Sequence, residues 1–223
     1  KYNGKTMIVG SVTDGYNYFE AKYKRTRAFL EEMQGSGINL IITTKSNLVT
    51  RDIDLITTYP NPLVAWSINT LDEEFKKDMD SAPTIKSRIE AMKQVHDAGI
   101  RTSCFISPIF PGITDVFTII EEIKDFCDYI WLENLNLRGT FKPTIINYIK
   151  EKHPELNDLY NKIYTKKDMS YWEGLDKKVQ EYADKNGFMY VIDEEPFLKN
   201  PTGKPIIINY FYHEKIRQLS KNK

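Results

Sequence analysis

Apolar residues fall along the chain in short, nearly continuous runs, each ending in polar residues and followed by a stretch with helical spacing. The run at 38–42, Ile-Asn-Leu-Ile-Ile, is rich in β-branched residues and closes in Thr43, Thr44, Lys45 and Ser46. That is the pattern of a strand covered on both faces in a parallel sheet. Similar runs at 7–10, 63–68, 101–106, 129–132 and 188–192 predict further strands. Between them, Phe19, Tyr23, Thr26, Leu30 and Met33 recur at spacings of three and four, predicting one helix stopped by Gly35 and Gly37. Residues 51–57 predict a short helix ended by Pro60 and Pro62. Ile85, Ile89, Met92 and Val95 mark another, opened by Pro83 and Thr84 and closed by Gly99. Val116, Ile120, Ile123 and Cys127 share a face of a helix over 115–126, and residues 140–187 predict two or three helices with Pro154 as a break. Repeated strand–helix units predict right-handed βαβ crossovers and an α/β fold: a parallel sheet of about six strands curled into a partial, open (β/α)6 barrel of TIM-barrel type. Residues 1–195 are expected to form this core, and 196–223 an extension or an edge strand.

In such sheets ligands bind at the C-terminal ends of the strands, where the loops converge. Four successive strand ends carry polar residues: Thr13 and Asp14, Lys45 and Ser46, Ser67 and Asn69, Glu133 and Asn136. For any single serine, threonine or asparagine, capping a helix or satisfying a loop is the simpler role. Lys45 differs, because a lysine ending a buried strand gains little from packing and must direct its ammonium at something polar, such as a carboxylate or phosphate in the mouth.

Composition narrows the partners. The chain of 223 residues has 31 basic and 31 acidic residues, so no net field draws it to nucleic acid or anionic lipid. Two cysteines, Cys104 and Cys127, give no disulfide framework, and no long apolar span or secretory segment is present, so a cytoplasmic protein with no membrane partner is expected. Neither those cysteines nor His96, His153 and His213 have metal-ligand spacing. Serine-hydrolase elbows, Walker loops and dinucleotide fingerprints are absent. The basic run Lys22, Lys24, Arg25 and Arg27 cannot share one helical face and reads as solvated surface.

These residues, in this order, resemble the radical S-adenosylmethionine superfamily, within it the group related to spore photoproduct lyase. A Thr-Asp-x-Tyr-x-Pro-x-Glu stretch is matched by Thr13, Asp14, Tyr16 and Glu20, with Tyr18 in place of proline, and Thr-Arg-x-x-Leu-Glu by Thr26, Arg27, Leu30 and Glu31. Thr44-Lys45-Ser46, Arg51-Asp52-Ile53-Asp54-Leu55, Ser67, Ser81-Ala82-Pro83 with Arg88, 98–100 and 108–113 continue the likeness, which covers roughly residues 5–140. The resemblance implies a partial barrel with S-adenosylmethionine across the strand ends: Lys45 at its carboxylate, Ser67 at its ribose region, Thr13 and Asp14 near its methionyl amine, with Ser46 and Asn69 beside them. It further implies a [4Fe-4S] cluster, an external electron donor, and a 5′-deoxyadenosyl radical that abstracts hydrogen from a substrate.

Two departures matter. Superfamily members carry a Cys-x-x-x-Cys-x-x-Cys loop that holds the cluster, and this sequence has none, so the loop is expected to precede Lys1 and the chain by itself to be catalytically silent. Spore photoproduct lyase has a hydrogen-returning cysteine where Ser11 stands, and a serine O–H bond is too strong for that part, so the thymine-dimer substrate is not carried over. Glu133, Asn136 and Arg138 are expected near an unknown substrate, nucleic acid among the candidates. The rival reading is a cluster-free barrel that only binds, or a lyase or aldolase working through Lys45. Arg51, Asp52 and Asp54 are expected to fasten the helix start after the Lys45 loop.

Overall fold

A computed structural model of the chain describes residues 3–137, 139–192 and 204–211. Its strands are β1 (Thr6–Val9), β2 (Asn39–Thr44), β3 (Leu63–Ser67), β4 (Arg101–Ile109), β5 (Tyr129–Asn134), β6 (Met189–Val191) and β7 (Ile207–Phe211). All neighbours pair in parallel, in the order β1-β2-β3-β4-β5-β7-β6, and the sheet is open. This is the expected α/β architecture. Leu63, Val64, Ala65 and Trp66 are buried, as are Thr102, Ser103, Cys104 and Ile106 in the adjoining strand, which is why both read as continuous apolar or small runs.

The helices are α1 (Glu20–Tyr23), α2 (Arg25–Met33), α3 (Ile53–Ile56), α4 (Glu73–Met79), α5 (Ile85–Asp97), α6 (Val116–Ile123), α7 (Lys142–Lys152), α8 (Asn157–Tyr164) and α9 (Ser170–Asn186). One core joins Leu40, Ile42, Val64, Trp66, Ile106 and Leu132 of the sheet to Met92 and Val95 of α5 and Ile119 and Ile120 of α6. Alternate strand residues face the other side. Ser67, Phe105, Trp131 and Asn209 form one register row there.

Several expectations are corrected. The helix predicted from Phe19 to Met33 breaks at Lys24, which has φ 49°, and Phe19 and Tyr23 stand 65% and 56% exposed instead of extending the buried stripe of Thr26 and Leu30. The acidic connection before α5 is itself helical, because the Asp72 side chain accepts hydrogen bonds from the backbone N–H groups of Glu74 and Phe75 and starts α4. Among the described residues the six expected strands are joined by a seventh, the final apolar run, which lies inside the sheet as β7, between β5 and β6, instead of at an edge. Residues 193–203 and 212–223 of the predicted boundary and extension lie outside the described residues, as do Arg138 and His213.

Candidate functional site

Between the loops that follow β1 and β2 and the connection from α4 to α5 lies a cleft of 660 Å³, bordered by Asp14, Tyr18, Lys45, Ser46, Asp80 and Ala82 among others. Its wall is set by Asp14. The carboxylate accepts from the Tyr16 N–H (2.8 Å), the Thr44 hydroxyl (2.8 and 3.0 Å) and the Lys45 N–H (2.8 Å). Asp14 thereby ties the β1 loop to the end of β2. Ser46 continues the turn: its hydroxyl accepts from the Leu48 N–H at 3.1 Å and caps the 3₁₀ turn that follows, while its carbonyl accepts from the buried indole N–H of Trp66 at 3.2 Å. Thr13 is exposed on the neighbouring loop.

Lys45 projects from the end of β2, its side chain 42% exposed, and its Nζ lies 2.7 Å from Oδ2 of Asp80. Asp80 follows α4 and is also held at Oδ1 by Arg88 Nη2 (3.0 Å) and the Ala82 N–H (3.1 Å). Its carboxyl stays below the usual carboxylate range: burial opposes ionisation, but the bond from Lys45 and the charges of Arg88 and Lys45 outweigh it. Arg88, 1% exposed, donates from Nη1 to the Ser67 carbonyl (3.0 Å) and from Nε to the Pro83 carbonyl (2.9 Å). A buried guanidinium thus links the end of β3 to the Lys45–Asp80 pair.

The other predicted residues assemble on the next strand ends. The Ser67 hydroxyl donates to the Ser107 carbonyl at 3.5 Å, and Asn69 Nδ2 to the Pro108 carbonyl at 3.2 Å. The Ser107 hydroxyl in turn donates to Glu133 Oε2 at 2.6 Å, joining β4 to β5. Asn136 lies just beyond β5, half-buried. The sequence-predicted residues therefore fall into two groups, a cleft at β1 and β2 and a rim over β3 to β5, connected by Arg88. Asp80 and Ser107 were missed. A lysine at a buried strand end implied a counter-ion, but nothing local in the sequence pointed to Asp80, 35 positions away.

Arg51, Asp52 and Asp54 do more than fasten a helix start. Asp52, wholly buried, accepts from Arg51 Nε and Nη2 (2.8 and 2.7 Å) and from Arg27 Nη1 (2.8 Å); Arg27 also reaches Asp54 (3.0 Å), and Arg51 reaches Glu20 (2.7 Å). Arg27 of the basic run is thus part of an ion-pair network and not solvated surface alone.

The residues fit a small zwitterionic ligand, since the cleft has the size of a ligand pocket and presents an ammonium beside hydrogen-bonding backbone. They do not fit an iron–sulfur cluster. Among the described residues no three His, Cys, Asp or Glu side chains are grouped to hold a metal ion, and Cys104 and Cys127 are both buried, which pushes their thiols up, away from thiolate. No helix among the described residues is long and apolar enough to cross a membrane.

An open parallel sheet with a cleft at the strand C-termini defines an α/β protein of the partial-barrel class. Residues 1–130 match the Radical SAM superfamily, and the chain belongs to that superfamily. It is 37% identical over 152 residues to an uncharacterized protein of Methanocaldococcus jannaschii, covering 67% of this chain and 57% of that one. An uncharacterized protein of Acidianus two-tailed virus is 29% identical, with coverage of 74% and 58%. The chain spans little more than half the length of these relatives. Among solved structures it is similar to spore photoproduct lyase complexed with a dinucleoside spore photoproduct, at a TM-score of 0.48 and 15% identity, over 69% of this chain and 46% of that one. Membership of the superfamily implies S-adenosylmethionine and a [4Fe-4S] cluster as cofactors.

Proposed function

We propose that the cleft binds S-adenosylmethionine and that the chain is the cofactor-binding body of a radical enzyme whose cluster ligands lie outside the sequence described. The observation that carries this is Lys45, an ammonium at the mouth of a 660 Å³ cleft, paired with the Asp80 carboxylate that borders the same cleft. Lys45 would take the ligand carboxylate, Ser67 and Asn69 the ribose region, and Ser46 and Thr13 the loop contacts around them. Bound S-adenosylmethionine supplies a reducible sulfonium, the starting point for hydrogen abstraction from the substrate. On the substrate side, Glu133, oriented by Ser107, and the neighbouring Asn136 and Arg138 would position a hydrogen-bonding partner, of which nucleic acid is one class.

The lysine-dependent lyase reading loses support from the same contact, since an ammonium bonded to a carboxylate at 2.7 Å offers no lone pair to a carbonyl. Calorimetric titration of S-adenosylmethionine into the full-length protein and its Lys45→Met variant tests the proposal. Because Lys45 is 42% exposed, the loss should sit near the low end of the roughly 1.5–3 kcal/mol typical of a charged hydrogen bond, about tenfold in affinity. Equal affinities with an unchanged melting transition would remove Lys45 from the site.

A further inference from the structure

The face of the sheet turned away from the helices carries two aromatic rings in an unusual setting. Cys104 and Ile106 of β4 and Ile130 and Leu132 of β5 are wholly buried in the core that joins the sheet to the helices. Phe105 and Trp131, which alternate with them on the opposite face, are only half-buried and take no part in that core. Yet β4 and β5 stand fourth and fifth in the strand order, where a parallel sheet is ordinarily covered on both faces. Nearer the strand N-termini, Leu63, Tyr129 and Ile207 close this face with a small core of their own. The interior of the open barrel is therefore filled at its base and accessible at the level of the two rings.

Phe105 and Trp131 lie 5.5 Å apart, centroid to centroid, at 40° to one another. They share a register row with Ser67, the residue proposed for the ribose region, which is one strand, about 4.8 Å, from Phe105. Two residues beyond Trp131 on the same strand and face, roughly 7 Å nearer the mouth, stands Glu133, oriented by the 2.6 Å bond that it accepts from the Ser107 hydroxyl.

Resting on the proposed function and deepening it, we propose that the substrate is a flat heteroaromatic ring with an N–H donor on its edge, its face against Phe105 and Trp131 and its edge toward Glu133. Aromatic faces favour a π-system over a saturated ring of the same size, and a carboxylate favours an edge that donates over one that is anionic. The placement suits the chemistry, because a ring held there lies beside the nucleoside from which hydrogen abstraction begins. Nucleobases and the imidazole or indole side chains of peptides share this ring chemistry.

The sequence has three tryptophans, and Trp66 and Trp172 are 0% and 1% exposed, so Trp131 is the one whose emission a bound ring can alter directly. The test titrates the full-length protein with uridine for the nucleobase source, 4-methylimidazole for the side-chain source, and 5,6-dihydrouridine, which keeps the sugar and the N–H edge of uridine but loses the flat π-face. A saturable change in tryptophan emission is expected with at least one flat ring, and the ring that produces it identifies the source; dihydrouridine should bind about tenfold more weakly than uridine where uridine binds. Phe105→Leu keeps apolar bulk and removes a ring: it should weaken the bound ring about tenfold while leaving calorimetric affinity for S-adenosylmethionine unchanged. Dihydrouridine binding as tightly as uridine overturns the assignment without recourse to any variant, as does undiminished ring affinity in Phe105→Leu. Saturation by neither flat ring in a protein that binds S-adenosylmethionine overturns it too and leaves the proposed function standing. Failure to bind S-adenosylmethionine sinks the proposed function instead, on a readout separate from the ring titration.

Discussion

Asp52→Ala is the substitution with the largest expected effect outside the cleft. Asp52 is wholly buried and accepts three bonds of 2.7–2.8 Å from Arg51 and Arg27, which come from different strand–helix units. Removing one member of a buried ion pair typically costs about 3–5 kcal/mol, because the partner charge is left uncompensated. Here the arginine side chains are 22% and 25% exposed and keep Glu20 and Asp54, so roughly 2–4 kcal/mol is expected. Asp54 is 60% exposed, and Asp54→Ala should cost less than about 1 kcal/mol. Urea unfolding reads both, as a lowered midpoint with an unchanged slope. The pH dependence follows from the same geometry. Burial opposes ionisation of Asp52 and of Glu20, but hydrogen bonds from Arg51 and Arg27 to Asp52, and from the Thr26 N–H and Arg51 to Glu20, hold both carboxyls below the usual range. Their contribution is therefore complete above the unfolded carboxylate pKa of about 4 and is lost as pH falls through the lower folded values. Asp52→Ala should flatten that acid limb. A loss no larger than that of Asp54→Ala, with an unaltered acid limb, would refute the network as a source of stability.

Trp66→Phe removes the indole N–H that satisfies the buried Ser46 carbonyl; a cost of roughly 1–3 kcal/mol is expected by thermal or urea unfolding, with S-adenosylmethionine affinity falling as the Ser46 turn loosens. Gly10, at the end of β1, has φ +92°, and a Cβ there would meet the Thr43 carbonyl oxygen at 2.0 Å. Gly10→Ala should therefore cost more than the roughly 1 kcal/mol of an ordinary left-handed substitution, seen as a lowered unfolding midpoint.

Strands were legible and their loops less so, for a physical reason. β3 is buried from Leu63 to Trp66, so 63–68 announces itself without reference to the rest of the chain, and 38–42 and 101–106 are marked by the buried apolar residues Leu40, Ile42, Cys104 and Ile106. The break at Lys24 obeys no such local rule. The α2 N-terminus has no side-chain cap at Lys24; the Glu20 carboxylate, on the preceding helix, accepts from the Thr26 and Arg27 N–H groups at 2.9 and 3.2 Å. Spacing alone carried the predicted helix straight through, because Glu20 acts as a cap only when Arg51 arrives from the next unit to balance it. The position of β7 fails for a related reason: its burial was visible in Ile206, Ile207 and Ile208, but whether a strand lies at an edge or inside a sheet depends on its partners.

The cleft shows the same division between what a residue type demands and what supplies it. A lysine at a buried strand end demands an anion, and that much singled out Lys45 from its neighbours. Which anion answers depends on α4 ending at Met79, so that Asp80 falls next to Arg88, whose buried guanidinium is satisfied by the Ser67 and Pro83 carbonyls. Asp14, which borders the cleft, holds the β2 turn through the Thr44 hydroxyl and the Lys45 N–H. The two aspartates thus border one cleft in different ways, Asp14 tied to the backbone and hydroxyl of the β2 end and Asp80 to the side chains of Lys45 and Arg88, and only their hydrogen-bond partners distinguish them.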